Sequence, residues 1–297
     1  MFVVAVGFLI KSSDWFIMAS EKIGASWGVS PFVIGLTIVA FGTSLPELAT
    51  AIFAMIEGDP GIVLGNVIGS NITNIFLVLG LLAVVAKSIE LDFDLFKNDI
   101  PALVISALLF WLMLSDGDVD IFEASIMLLA LGVFIFSSLS GTEDDPVIKV
   151  KTGFKTYLIF FVSGALVYFS AKYTIDSIVL ISESLNIGTD IIALSIVALG
   201  TSLPEISVSI LAAKRGQASI AVGNVIGSNI FNTYIVVGVA TFFGPMEMTA
   251  TLADFSLPMM LAATFILAVS SLSKSITRWE GILYLLLYVF FLYRLFI

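Results

Sequence analysis

The sequence contains neither cysteine nor histidine. No disulfide framework can exist, and no thiolate or imidazole can ligate a metal. Any metal must be held by oxygen, which suits hard cations. The missing imidazole also removes the commonest proton shuttle near neutral pH. Charge is scarce too. Only 12% of the 297 residues are charged and 59% are hydrophobic, whereas a soluble domain carries about 25% charged residues. A water-soluble core cannot hide that apolar excess, and mean hydropathy is +1.11. An ordinary soluble enzyme and a disordered scaffold are excluded. The net charge of −10 argues against nucleic acid and other anionic partners.

What remains is a polytopic protein of the cell membrane. Membrane helices need about 20 predominantly apolar residues each. The apolar runs here are long and continuous, unlike the alternating polarity of barrel strands. Ten spans are expected, near 2–25, 31–56, 61–86, 99–115, 120–139, 154–181, 187–213, 217–243, 252–272 and 277–296. Met1–Ile10 has no basic segment and no small-residue cleavage site, so no signal peptide is expected. Lys22, Lys87, Lys97, Lys149, Lys151, Lys155, Lys214, Arg215, Lys274 and Arg278 fall at one set of span ends, and Arg294 at the other. Lys11 and Lys172 fall within spans. Basic bias sets orientation, which predicts both termini outside.

Shifted by 158 residues, the sequence matches itself. Gly42-Thr43-Ser44-Leu45-Pro46-Glu47 falls on Gly200-Thr201-Ser202-Leu203-Pro204-Glu205. Gly65-Asn66-Val67-Ile68-Gly69-Ser70-Asn71-Ile72 falls on Gly223-Asn224-Val225-Ile226-Gly227-Ser228-Asn229-Ile230. From Phe41 to Gly80, 21 of 40 positions are identical without a gap. Residues 1–139 and 154–297 then form two five-span repeats, joined by a short cytoplasmic linker at 140–153. An odd number of spans per repeat inserts the second upside down. Inverted repeats are a signature of secondary transporters, with the site near midplane at the repeat interface. The partner of Tyr157 would lie ahead of Met1, so the first helix is expected to be short at its outer end.

Glu47 and Glu205 sit inside apolar runs of spans two and seven, and intramembrane acids of this kind are functional by default. The competing reading is a structural pairing with Lys11 or Lys172. Pro46 and Pro204 deprive the carbonyls of Gly42 and Gly200 of their helical donors. The helices should break or kink there and free carbonyls such as those of Ala40 and Ala198. Irregular backbone at this depth survives only where it is buried or lines a cavity. Thr43, Ser44 and Glu47 share a helix face, as do Ser70 with Asn74 and Ser228 with Asn232. Together these oxygens make a cage for a cation. Interhelical hydrogen bonding is the competing reading, preferred for Asn66, Asn71, Asn224 and Asn229. Gly65/Gly69 and Gly223/Gly227 read as close-packing pairs. Two carboxylates are neutralised by one Ca2+ or by two Na+, which is the physics of exchange.

Other motifs fail. Asp116-x-Asp118-x-Asp120 starts like an EF-hand loop, but Ile121 and Met127 stand where Gly and Glu are needed. Asn71-Ile72-Thr73 lies inside a span, Glu143-Asp144-Asp145 reads as a solvated loop, and no P-loop pattern occurs.

The paired GTSLPE and GNVIGSN blocks resemble the two alpha-repeats of the cation/calcium exchanger superfamily, most closely its prokaryotic sodium/calcium exchanger branch. The resemblance extends over essentially the whole chain. It implies an all-α membrane protein of ten transmembrane helices in two inverted five-helix repeats. Four ion positions would cluster between helices two, three, seven and eight. Glu47, Thr43, Ser44, Ser70, Asn74 and the Ala40 carbonyl match one half of that site. Glu205, Thr201, Ser202, Ser228, Asn232 and the Ala198 carbonyl match the other. Helices one and six would slide to switch access. Some relatives carry Asp at Asn74 or Asn232; Asn at both weakens the case for potassium co-transport. The expected function is a Na+/Ca2+ antiporter working by alternating access, with Ca2+ and Na+ as substrates, no cofactor and no obligate protein partner. The runner-up is a Ca2+/H+ exchanger in which the same glutamates carry protons. A channel fits two inverted halves in one chain poorly. An enzyme is not expected, since no histidine is available to activate the hydroxyls.

Overall fold

The structure, a computed structural model, describes the chain except residues 1, 59, 92–97, 141–150, 185–201, 247, 251 and 296–297. The side chains of residues 57, 61, 175, 178–179 and 181–184 also lie outside the description. Helix α1 covers Phe2–Trp27. Ser30 caps the next helix by accepting from the Val33 N–H at 3.3 Å, with Pro31 in the first turn, where its missing N–H is no loss. A π turn, Ile34–Val39, leads into α2, Ala40–Glu57. Gly58 stops α2 in the left-handed region, at φ 85°. Helix α3, Gly61–Ile72, continues through a second π turn, Thr73–Leu79, into Gly80–Ala86. Helices α4, Asp99–Met113, and α5, Ile121–Ser140, complete the first half.

The second half runs as α6 Phe154–Ser184, α7 Leu203–Lys214, α8 Ala218–Phe231, α9 Leu257–Ser270 and α10 Arg278–Leu295. After α8 comes a π turn, Asn232–Val236, at the place that the offset assigns to the one after α3. Two short strands, Ser88–Glu90 and Ser275–Thr277, pair antiparallel with Ile89 opposite Ile276. They tie the end of α3 to the start of α10.

Of the break or kink expected at Pro46, the break does not occur. Helix α2 runs through Pro46 without interruption, and the departure from α geometry lies upstream in the π turn Ile34–Val39. One missing donor is tolerated where the wider turn before it takes up the irregularity. In the second half Pro204 opens α7; the segment before it lies outside the described residues.

Helix α8 is deeply enclosed, with every residue from Ile220 to Phe231 buried. It crosses the π turn of α2 backbone to backbone. A Cβ on Gly227 would strike the Leu36 carbonyl, and one on Gly223 the Phe32 carbonyl. The packing role expected of that glycine pair is thereby explained. Among the described residues nothing approaches Gly65 or Gly69 so closely. Helix α1 lies along α6, and the two flank the inner helices.

Among the described residues eight helices are long and apolar enough to cross a membrane. Expected span seven falls partly on residues outside the description. The tenth, α10, carries Arg278, Glu280 and Arg294 in its 18 residues. Phe122, Leu129, Val133 and Phe136 on α5, and Leu283, Leu286 and Val289 on α10, point outward and exposed. Such faces suit lipid, and the chain is a multi-pass all-α membrane protein.

Candidate functional site

The inner helices carry an unusual density of buried polar groups. Glu47 and Glu205 are both 0% exposed. Thr43, Ser44, Ser70, Asn74, Ser202, Ser228 and Asn232 are buried as well, as is Ala40. Thr201 and Ala198 lie outside the described residues.

The two glutamates, one from each half, are close enough to interact electrostatically, and the Thr43 side chain stands beside the Glu205 carboxyl. The Thr43 and Ser228 hydroxyls are 3.3 Å apart. Helix α2 of one half thus meets α7 and α8 of the other around the two acids. The Ala40 carbonyl accepts from the Thr43 hydroxyl at 3.3 Å.

Among the described residues no basic residue pairs with these acids. Among the described residues the ion pairs are Lys11–Asp14, at 3.8 Å, and Arg215–Asp14. Lys172 is exposed on α6. The structural pairing weighed for Glu47 and Glu205 is therefore not made. Both carboxylate oxygens of each acid lack a hydrogen-bond partner among the described residues, as do Ser44 Oγ, Ser202 Oγ, Asn74 Oδ1 and Asn232 Oδ1. Buried polar atoms are nearly always satisfied, because leaving one bare costs about 1–3 kcal/mol, more for a charge. Eight buried oxygens of the expected site residues go unsatisfied here. Oxygen-only donors around a double negative charge match a hard cation. The Asn232 amide nitrogen is also unpartnered, so that side chain has a donor left over as well.

Of the four asparagines expected to bond between helices, Asn71, Asn224 and Asn229 do so, whereas Asn66 Nδ2 has no partner among the described residues. Asn71 donates its amide to the Asn229 carbonyl at 3.3 Å, and Asn229 donates to the Asn71 carbonyl at 3.2 Å. These residues are 158 apart, so the exchange is the contact a two-fold relation between repeats requires. Asn71 also donates to Thr233 Oγ1 at 3.0 Å. Asn74 donates to Asn229 Oδ1 at 3.0 Å. Asn224 Oδ1 accepts from the Thr43 hydroxyl at 3.1 Å, and Asn224 Nδ2 donates to Ser209 Oγ at 2.9 Å. Ser209 escaped the sequence reading. The offset could have flagged it, because its repeat mate is Ala51.

Comparison with known proteins places this architecture. The family described as sodium/calcium exchanger protein matches residues 1–140 and 155–297. The sodium/calcium exchanger MaX1 of Methanosarcina acetivorans is 33% identical, over 97% of this chain and 95% of its own. An uncharacterized membrane protein of Methanocaldococcus jannaschii, MJ0091, is 34% identical over 97% and 94%. The sodium-calcium exchanger NCX_Mj, soaked with zero Na+ and Ca2+, superimposes with a TM-score of 0.84 at 32% identity, covering 97% of this chain and 95% of that one. A second structure of it, soaked with 100 mM Na+ and 10 mM Sr2+, gives 0.83. With the repeat, the fold and these matches in agreement, the chain belongs to the sodium/calcium exchanger protein family.

Proposed function

We propose that this protein is a Na+/Ca2+ antiporter in which Glu47 and Glu205 hold the cargo jointly. One observation carries this reading: two fully buried carboxylates from opposite repeats, with no basic partner among the described residues and a shell of unsatisfied neutral oxygens. Ser44, Ser70, Asn74 and the Ala40 carbonyl supply further oxygens from the first half, with Thr43. Ser202, Ser228, Asn232 and, by repeat, Thr201 and the Ala198 carbonyl supply them from the second. The halves are 1–139 and 154–297, and both termini lie outside by the distribution of basic residues.

The electrostatics give exchange its logic. A formal charge of −2 in a low-dielectric interior needs balancing. One Ca2+ does so, and so do two Na+, but the same oxygens cannot serve both loads. Without a load, the two acids repel across the site, which disfavours transit without cargo. Similarity to an exchanger solved after soaking with Na+ and Ca2+ supports the same pair of loads here.

Access requires the α1/α6 pair to move against the inner helices. An apolar cavity of about 270 Å³ lies between α1, α6 and α2, lined by Phe16, Gly42, Pro46, Phe160, Gly164 and Tyr168. It gives that pair room beside the site.

The test is uptake of radiolabelled Ca2+ into proteoliposomes under imposed Na+, K+ and H+ gradients. Uptake driven by an outward Na+ gradient is expected, and Glu47→Gln or Glu205→Gln should reduce it to background. Uptake that ignores Na+ and follows the pH gradient would instead make the protein a Ca2+/H+ exchanger.

A further inference from the structure

A hydroxyl that ligates a cation does so through an oxygen lone pair. Its proton must then point elsewhere, to an acceptor behind it. In this protein two acceptors compete for the single Thr43 proton, the Ala40 carbonyl at 3.3 Å and, nearer, Asn224 Oδ1 at 3.1 Å. An amide, however, can present either end. Were Asn224 turned over, its NH2 would donate to Thr43, occupy the lone pair and spoil the ligand. Ser209 stands at the other end of the amide, accepting from Nδ2 at 2.9 Å. With Ser209 present, the amide keeps its NH2 paired while its oxygen takes the Thr43 proton. Without Ser209, only the overturned amide would pair its NH2, by giving it to Thr43.

Enclosure makes this chain of bonds matter. Ser209 and Asn224 are 0% exposed and Thr43 is 2% exposed, so no bulk water replaces a lost partner. A buried unpaired NH2 costs about 1–3 kcal/mol, so loss of the Ser209 hydroxyl penalises the amide orientation that leaves the Thr43 lone pair free.

The other half lacks this device. The offset of 158 maps Asn224 onto Asn66, Thr43 onto Thr201 and Ser209 onto Ala51. Asn66 Nδ2 has no hydrogen-bond partner among the described residues, and Ala51 is buried with no polar atom to offer. The asymmetry in sequence and the asymmetry in bonding coincide.

We propose that Ser209 is a positioning residue, which keeps the Asn224 NH2 paired while the amide oxygen faces Thr43, so that Thr43 can turn its oxygen toward the transported cation. The inference rests on the antiporter reading, and the parent protein tests that reading separately: without Na+-driven Ca2+ uptake by the parent, the reading fails before Ser209 is examined.

The experiment is a double-mutant cycle on the apparent KM for Ca2+ in proteoliposomes, with thermal unfolding followed in parallel. Ser209→Ala is expected to raise KM about tenfold, the effect of one lost charge-oriented hydrogen bond. In a Thr43→Val background, which has no hydroxyl to orient, Ser209→Ala should add nothing. A purely structural serine would raise KM, or lower the unfolding temperature, equally in both backgrounds, and that result would overturn the proposal. So would an unchanged KM in Ser209→Ala.

Discussion

Asn71 and Asn229 each give an amide to the other's carbonyl, at 3.3 and 3.2 Å, and this exchange binds the two repeats at their centre. Replacing either asparagine by Ala leaves a buried carbonyl without its donor, at a cost of about 1–3 kcal/mol. Both variants are expected to unfold at a lower temperature in detergent. An unfolding temperature equal to the parent's in both would show that the exchange contributes nothing. At this scale the sequence was legible where chemistry conflicts with surroundings. Glu47 and Glu205 stood out because an ionisable group in an apolar run is costly, and the repeat doubled the signal. Ser209 did not stand out. Serine within a helix can bond the carbonyl four residues back, as Ser20 does with the Phe16 carbonyl at 2.8 Å. Nothing local separates the two serines; only the distant Asn224 does.

Elements were legible through hydropathy and through glycine spacing, less so through proline. Pro46 predicted a break, yet α2 passes through it and the irregular turn lies at Ile34–Val39. Proline removes one donor without fixing where the helix adjusts. The π turns Thr73–Leu79 and Asn232–Val236, which hold Asn74 and Asn232, left no mark in the residues beyond the repeat itself. Such turns often accompany functional sites. The glycines make a sharper case. Gly227 lies against the Leu36 carbonyl, whereas nothing meets a Cβ at the exposed Gly7 of α1. Gly227→Ala must push two backbones apart and should cost about 1–3 kcal/mol. Gly7→Ala only restricts the unfolded chain and should be neutral or slightly stabilising. Thermal unfolding of the two variants side by side checks this, and equal behaviour would contradict the close crossing of α8 over α2.

The molecule as a whole divides into inner helices stitched together by amides and an α1/α6 pair held mainly by apolar contact, including the Phe16–Phe160 stack with ring centroids 4.9 Å apart. Arg215, at the end of α7, pairs with Asp14 of α1 and so links the two parts. The repeat offset sets Lys172 against Asp14 and Glu57 against Arg215, with the charges exchanged. Asp14 was passed over in the sequence, since a lone acid amid apolar residues does not announce a partner two hundred positions away. Its side chain is 24% exposed, so the pair is worth about 1 kcal/mol at most. Asp14→Asn should then shift the balance of arrangements by about fivefold. The chain has no native cysteine, so a single Ser20→Cys in α1 reports the shift as faster thiol labelling. The charge swap Asp14→Arg with Arg215→Asp should return labelling to the parent rate. Labelling unaffected by Asp14→Asn would remove the pair from any part in the motion.

The two-glutamate site itself is tested most directly by Ca2+ binding to the purified protein, titrated at increasing Na+ and repeated with Glu47→Gln and Glu205→Gln. Ca2+ binding that Na+ displaces competitively, and that either substitution alone abolishes, is the expected result. Binding that survives one of the substitutions, or that is indifferent to Na+, would contradict a single site shared between the two halves.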